Sequence, residues 1–167
     1  MRTSTEAIVI HCTATLASQP HNVASITAMH KARGFSTIGY HYLIGLNGED
    51  WQGRKPISSV GAHVANFNKR TIGVAYVGGL RTVDAKPLDT RTPAQAKTMI
   101  SRCKALVAKY PGVVILGHRD LSPDLDKDGK IEPNEYMKQC PCFDAGPWAV
   151  SVGLPGGFYR DGKFHRL

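Results

Sequence analysis

The chain has 167 residues, 42% apolar and 20% charged, the make-up of one folded domain rather than of a disordered, collagenous or membrane-bundle chain. Lysine and arginine number 21 against 13 aspartates and glutamates, a net +8, which suits an anionic partner: nucleic acid, a membrane surface or a bacterial wall. No stretch approaches the ~20 apolar residues of a membrane span, and the apolar run at residues 7–10 is too short for a signal-peptide core. Synthesis and initial residence in the cytoplasm are therefore expected. In that compartment Cys12, Cys103, Cys140 and Cys142 are read as thiols or metal ligands rather than bridges.

In chain order, residues 7–10 are an unbroken apolar run closed by His11, the pattern of a strand buried on both faces. Residues 22–33 set Val23, Ile26, Met29 and Ala32 at helical spacing, with Gly34 as the stop. Residues 40–46 read as a strand, Asn47-Gly48 as a hairpin turn and residues 50–52 as its return. Another apolar strand spans 71–77 and closes at Gly78-Gly79. Thr92-Pro-Ala-Gln95 carries the signals of a helix start, with a capping box and proline in the first turn. That helix is expected to run to Lys109 and stop at Pro111-Gly112. A strand at 113–116 leads into Gly117-His118, and a short helix opens at Asp144. From Gly153 the chain is glycine-rich and basic, and is expected to be a loosely ordered tail. The fold class that follows is α/β: a single domain with a mixed central β-sheet flanked by α-helices.

Two buried strands end in histidine, His11 and His118. If they are parallel, both imidazoles emerge at one edge of the sheet, where ligands of open α/β sheets gather. A third ligand is on offer in Lys138-Gln-Cys-Pro-Cys-Phe-Asp144. Two histidines and a cysteine leave one position open, as a catalytic zinc site requires. The alternative is that each histidine is held by hydrogen bonds alone.

The motifs His11-Cys-Thr-Ala-Thr15, Gly39-Tyr-His-Tyr42, Gly61-Ala-His63, Thr71-Ile-Gly-Val74, Gly117-His118 and Lys138-Gln-Cys-Pro-Cys-Phe-Asp144 follow one another in this order. Together they resemble the type 2 N-acetylmuramoyl-L-alanine amidases, zinc enzymes that include amidase-type phage lysozymes and the peptidoglycan recognition proteins. The resemblance covers roughly residues 7–148. It implies a zinc amidase domain at 1–152, with the tail at 153–167. It implies Zn²⁺ held by His11, His118 and Cys140, because the family pattern is Cys-Pro-x-Phe-Asp. It implies catalytic roles for Tyr40 and Lys138 in cutting the bond between N-acetylmuramic acid and L-alanine. Zinc would acidify a water, Tyr40 would hold or relay its proton, and Lys138 would stabilise the developing oxyanion. The presence of both argues against a recognition-only relative. A small single domain without a signal peptide resembles a phage endolysin most. Its partner would be bacterial peptidoglycan, reached after membrane permeabilisation, and it would act as a monomer. A cytoplasmic recycling amidase is the runner-up, and those relatives typically use aspartate as third ligand. A non-catalytic wall-binding module and a nucleic-acid binder are more distant readings; no nucleic-acid-binding signature is present.

The loop at 60–66 resembles the family's cleft wall, which implies that His63, with Ala62, Asn66 and Thr71, contacts substrate; otherwise His63 stabilises its own loop. By strand alternation Cys12 faces the core and His41 faces away from Tyr40; Cys103 is expected to pack within its helix. A second pattern lies between the zinc ligands. Asp124, Asp126 and Asp128 fill positions one, three and five of an EF-hand-type calcium loop. Gly129 fills position six, the Lys130 carbonyl position seven, and Glu135 position twelve. Pro123 disfavours an entering helix, so a lone Ca²⁺ loop at 124–135 followed by a short helix at 134–138 is expected. Calcium there would order the third zinc ligand. The insert lengthens the His118–Cys140 interval relative to the short phage lysozymes.

Overall fold

A computed structural model describes all 167 residues. Its centre is a five-stranded sheet in the order β4-β3-β5-β1-β7. The strands are β1 (Ala7–Cys12), β3 (Tyr42–Ile44), β4 (Asp50–Gln52), β5 (Thr71–Tyr76) and β7 (Val114–Gly117). β1 lies between β5 and β7 and pairs in parallel with both, in the register Ala7↔Thr71 and Ala7↔Val114. β3 is parallel to β5 and antiparallel to the edge strand β4. A small parallel pair, β2 (Thr15–Leu16) and β6 (Gly79–Leu80), continues beyond the sheet's carboxyl edge. The mixed sheet with flanking helices is the architecture expected from the sequence.

Both faces of the sheet are covered, so the inner strands are buried throughout and apolar at most positions. On one face Ile8, Ile10, Ile72 and Val74 pack against helix α2 (Pro93–Lys109) and α3 (Ala145–Ser151). α2 buries Gln95, Met99, Cys103 and Leu106, a helical stripe that includes Cys103 as expected, and Cys12 lies in the same core as strand alternation predicts. Gln95 is buried but not stranded: its Nε2 donates to the Val77 carbonyl at 2.9 Å. The capping box at Thr92 and Gln95 forms as expected. On the opposite face Ala7, Val9, Val64, Leu116 and Leu121 form one cluster, and Ile26, Ile38, Leu43 and Ala75 a second under α1 (Val23–Ala32).

Four local expectations are corrected. α1 buries Ile26 and His30 and leaves Met29 at 41% exposure, because a histidine with a hydrogen-bonding task takes the inner position. The strand expected at 40–46 is only Tyr42–Ile44, which frees Tyr40 to face a cleft. Residues 133–135 form a turn, not a helix: the Glu135 carboxylate reaches back across the loop to backbone N–H groups of Leu125 and Glu132. Residues 153–167 are not loose. They contain the hairpin β8 (Gly157–Arg160) and β9 (Lys163–Arg166), closed by Asp161-Gly162, both at positive φ. Asp-Gly is a strong hairpin signal, and Tyr159 and Phe164 use it to dock on Phe67, with ring centroids 4.8 and 6.2 Å away. No helix is long and apolar enough to cross a membrane.

A docked hairpin has an energetic signature. Phe164→Ala is expected to lower unfolding stability by at least about 1 kcal/mol, the scale of a lost aromatic cluster. A urea melt reads this directly. A loose tail would give a change within about 0.5 kcal/mol.

Candidate metal centre and active site

Register brings the two histidines together. Ile10 pairs with Gly117 across β1 and β7, so His11 and His118, the next residues, leave the sheet side by side at its carboxyl edge. Their ring centroids are 4.8 Å apart. Cys140 arrives from a loop pinned to the same edge. Its carbonyl accepts the Arg119 N–H at 2.8 Å, and the Tyr76 hydroxyl donates to the next carbonyl, of Pro141, at 2.8 Å. The Cys140 sulfur accepts the Cys12 N–H at 3.2 Å, which fixes its position beside β1.

One donor atom from each of His11, His118 and Cys140 lies within 4.8 Å of the others. The donor set suits a borderline-soft cation such as zinc with one position open. His11 turns Nδ1 toward the Cys140 sulfur, at 3.7 Å, and engages its Nε2 with His63 Nδ1 at 3.0 Å. Burial is the main cause that pushes both imidazoles down in pKa, His118 to about 4, and the Lys138 charge acts in the same direction. Both are therefore neutral at pH 7, the state in which imidazole binds a metal.

The group opens into a cleft of about 470 Å³. Tyr40, Ala62, Asn66 and Lys138 line it. Tyr40 is half-buried, its ring 5.2 Å from that of His11. Burial, then Cys140 and Cys12, raise its pKa well above the ordinary phenol value, so it remains a proton donor. Gly39 is required beside it: a Cβ there would sit 2.2 Å from the Ala62 carbonyl oxygen. His30 accepts the Gly39 N–H at 2.9 Å, and its ring sits tilted against that of Tyr40, with centroids 5.1 Å apart.

The other two residues assigned to the wall differ in depth. Thr71 is fully buried and lies beneath His63, out of reach of a ligand in the cleft. His63 borders the cleft but is only 7% exposed. Conversely, His30, Arg33 and Phe35 line the cleft and were not singled out from the sequence. His30 was discoverable, since it stands four residues after Ile26 on the buried face of α1. Arg33 and Phe35 follow the helix end and carry no local signal.

In the insert, Asp124, Asp126 and Asp128 each place an oxygen within 4.8 Å of the others. Glu135 is buried, and its carboxylate accepts backbone N–H groups from Leu125, Asp126 and Glu132. Met137 donates its N–H to Ser122 Oγ at 3.1 Å and so closes the insert at its base.

Residues 1–142 match the family described as N-acetylmuramoyl-L-alanine amidase. The chain belongs to this family and is an amidase of that class. Within it, the chain is similar to phage endolysins. That of Enterobacteria phage T3 is 37% identical over 148 residues, 88% of this chain and 87% of the relative. Among solved structures, the endolysin LysCS of Clostridium intestinale, an N-acetylmuramoyl-L-alanine amidase, superposes with a TM-score of 0.61 at 28% identity over 82% of this chain and 74% of its own. The endolysin of Thermus scotoductus bacteriophage Ph2119 superposes with 0.65 at 26% identity, covering 91% and 86%.

The buried histidines couple folding to pH. His41 is fully buried; its Nδ1 accepts the Gly73 N–H at 3.0 Å and its Nε2 faces the Ser59 carbonyl at 3.0 Å. Burial pushes its pKa down from 6.5 to about 4. The unfolded chain then binds more protons than the folded one between these values, so stability falls as pH drops through that window. The expected slope is up to about 1.4 kcal/mol per pH unit for each such histidine. Urea melts from pH 7 to 4 check it, and His41→Asn should flatten the slope.

Proposed function

We propose that the chain is a zinc-dependent amidase of bacterial peptidoglycan. It hydrolyses the amide between the lactyl group of N-acetylmuramic acid and L-alanine, and serves as a phage endolysin. One observation carries this reading: His11, His118 and Cys140 converge in a cleft that Tyr40 and Lys138 also line. Zinc, when bound, supplies an acidified water and a Lewis acid for the carbonyl. The protein supplies the remainder. Tyr40 keeps its proton at neutral pH and offers a hydrogen bond to a water or to the amide. Lys138 sets a positive charge at the cleft, where negative charge develops on the amide oxygen. Arg33 and Lys138 also suit the carboxylates of a peptide stem, and the +8 chain suits an anionic wall. Ala62 and Asn66 are the wall positions open to substrate. The similarity to phage endolysins supports synthesis in the host cytoplasm, with access to the wall after the membrane is permeabilised. A monomer is sufficient, since every group of this site comes from one chain.

Digestion of purified peptidoglycan, read by mass spectrometry, tests the reaction. New L-alanine amino termini without new reducing sugars are expected. His118→Ala should lower the rate at least ~10³-fold, the scale of losing the metal's contribution. A chelator should abolish activity and zinc restore it. New reducing sugars would mean a glycosidase. Cleavage of soluble muropeptides alone would mean a recycling amidase.

We further infer that the loop at 124–135 takes Ca²⁺ through Asp124, Asp126, Asp128, the Lys130 carbonyl and Glu135. The three clustered aspartates support this. So does Gly129 at a φ of +86°, the sharp turn such loops place at position six. Calcium would pin the segment between His118 and Cys140. Millimolar calcium should raise the melting temperature of the native protein by several degrees but not that of Asp126→Ala. An unchanged native melting temperature would sink the idea.

A further inference from the structure

His63 has no polar atom left for a ligand in the cleft. Its Nδ1 lies 3.0 Å from His11 Nε2, and its Nε2 is 3.5 Å from Thr71 Oγ1. The residue is only 7% exposed, and its ring is seated between two glycines. A Cβ on Gly61 would come within 2.4 Å of the ring, and one on Gly73 within 2.6 Å. The His41 ring closes a further side, edge-on at 5.5 Å. The loop is held independently, because Asn68 Oδ1 accepts the N–H groups of His63 at 2.8 Å and Val64 at 3.1 Å. His63 is therefore not needed to secure its own backbone. Its side chain has one close polar partner, and that partner is a metal-ligand candidate.

We propose that His63 is a positioning residue of the metal centre: its Nδ1 accepts the Nε2–H of His11 and so holds the His11 ring with Nδ1 turned to the site. This rests on the zinc reading given above. The proton positions follow from the geometry. His11 Nδ1 faces the Cys140 sulfur and must carry a lone pair to bind a metal, so the His11 proton sits on Nε2. His63 must then accept at Nδ1 and carry its own proton on Nε2. That proton points at Thr71 Oγ1, whose hydroxyl donates onward to the Phe67 carbonyl at 2.9 Å. The chain runs in one direction from the metal site to a backbone carbonyl, with one tautomer at each step. Outer-shell hydrogen bonds of this kind set ring orientation and ligand basicity, and their loss typically costs 10–100-fold in metal affinity. The same arrangement accounts for Thr71, which is buried beneath His63 and cannot meet substrate.

The test compares zinc affinity, by competition with a chromophoric chelator, and the absorption bands of the cobalt(II) form. Native protein is measured with His63→Asn, His63→Gln and His63→Leu. Asparagine places its Oδ1 where Nδ1 stands and keeps the acceptor; glutamine reaches instead to the Nε2 position; leucine keeps bulk alone. The expected result is zinc affinity within about 3-fold of native for Asn, and about 10–100-fold weaker for Gln and Leu, with shifted cobalt bands. Metal-free melting temperatures separate a fold effect from a metal effect. If His63→Leu does not fold, the Asn and Gln pair still decides the matter. Native affinity and native cobalt bands in folded Gln or Leu variants overturn the proposal. So does an Asn variant as weak as Leu. If the native protein itself takes neither zinc nor cobalt, the zinc reading falls first, and the positioning role with it.

Discussion

Parallel pairing of β1 with β7 is the constraint on which the site depends. Parallel strands deliver their carboxyl ends to one edge, and the Ile10↔Gly117 register makes His11 and His118 neighbours there. A one-residue slip would turn one imidazole to the opposite face of the sheet. Such a slip is blocked because the central strands are buried on both faces, each apolar side chain fitted to α2 and α3 or to the layer of α1 and the 60–70 loop. The packing that stabilises the domain is thus also what holds the donor atoms in place.

The second constraint is the cost of putting imidazoles out of water. His11, His41 and His63 are all buried, and an unsatisfied buried polar group costs about 1–3 kcal/mol. Each therefore has partners: His41 with Gly73 and Ser59, His11 with His63, His63 with His11 and Thr71. Room for these rings comes from Gly61 and Gly73. A β-strand glycine usually weakens a strand; here the absent side chain is what lets a histidine lie flat against the sheet.

The segment carrying Cys140 is held from several sides. Ser122 closes the base of the insert, and Tyr76 and Arg119 fasten the residues around the cysteine. Arg119 also pairs with Asp144, the N-cap residue of α3. The carboxyl-terminal hairpin contributes too, since Arg160 Nε donates to the Gly129 carbonyl at 2.8 Å. Hairpin, acidic loop and the Cys140 segment are therefore mechanically linked, although Gly129 and Arg160 stand 31 positions apart in the chain.

The sequence by itself determined most of the element types and pointed to the His11, His118 and Cys140 trio that the structure brings together. Continuous apolar runs, capping boxes and the order of the His, Tyr-His and Cys-Pro motifs are local signals, and each reports on a few neighbouring residues. The Asp161-Gly162 turn is a local signal of the same kind. Only the tertiary structure decided what each side chain meets. His63 and Thr71 sit in motifs that read as a cleft wall, yet His63 is turned inward to His11, 52 residues away, and Thr71 is sealed below it. His30 likewise serves Tyr40 through Gly39, a link between a helix and a loop. Periodicity says whether a side chain faces the core or the solvent. It cannot say which ring nitrogen finds which partner, because that depends on the register of distant strands and on the absence of a Cβ where two segments cross.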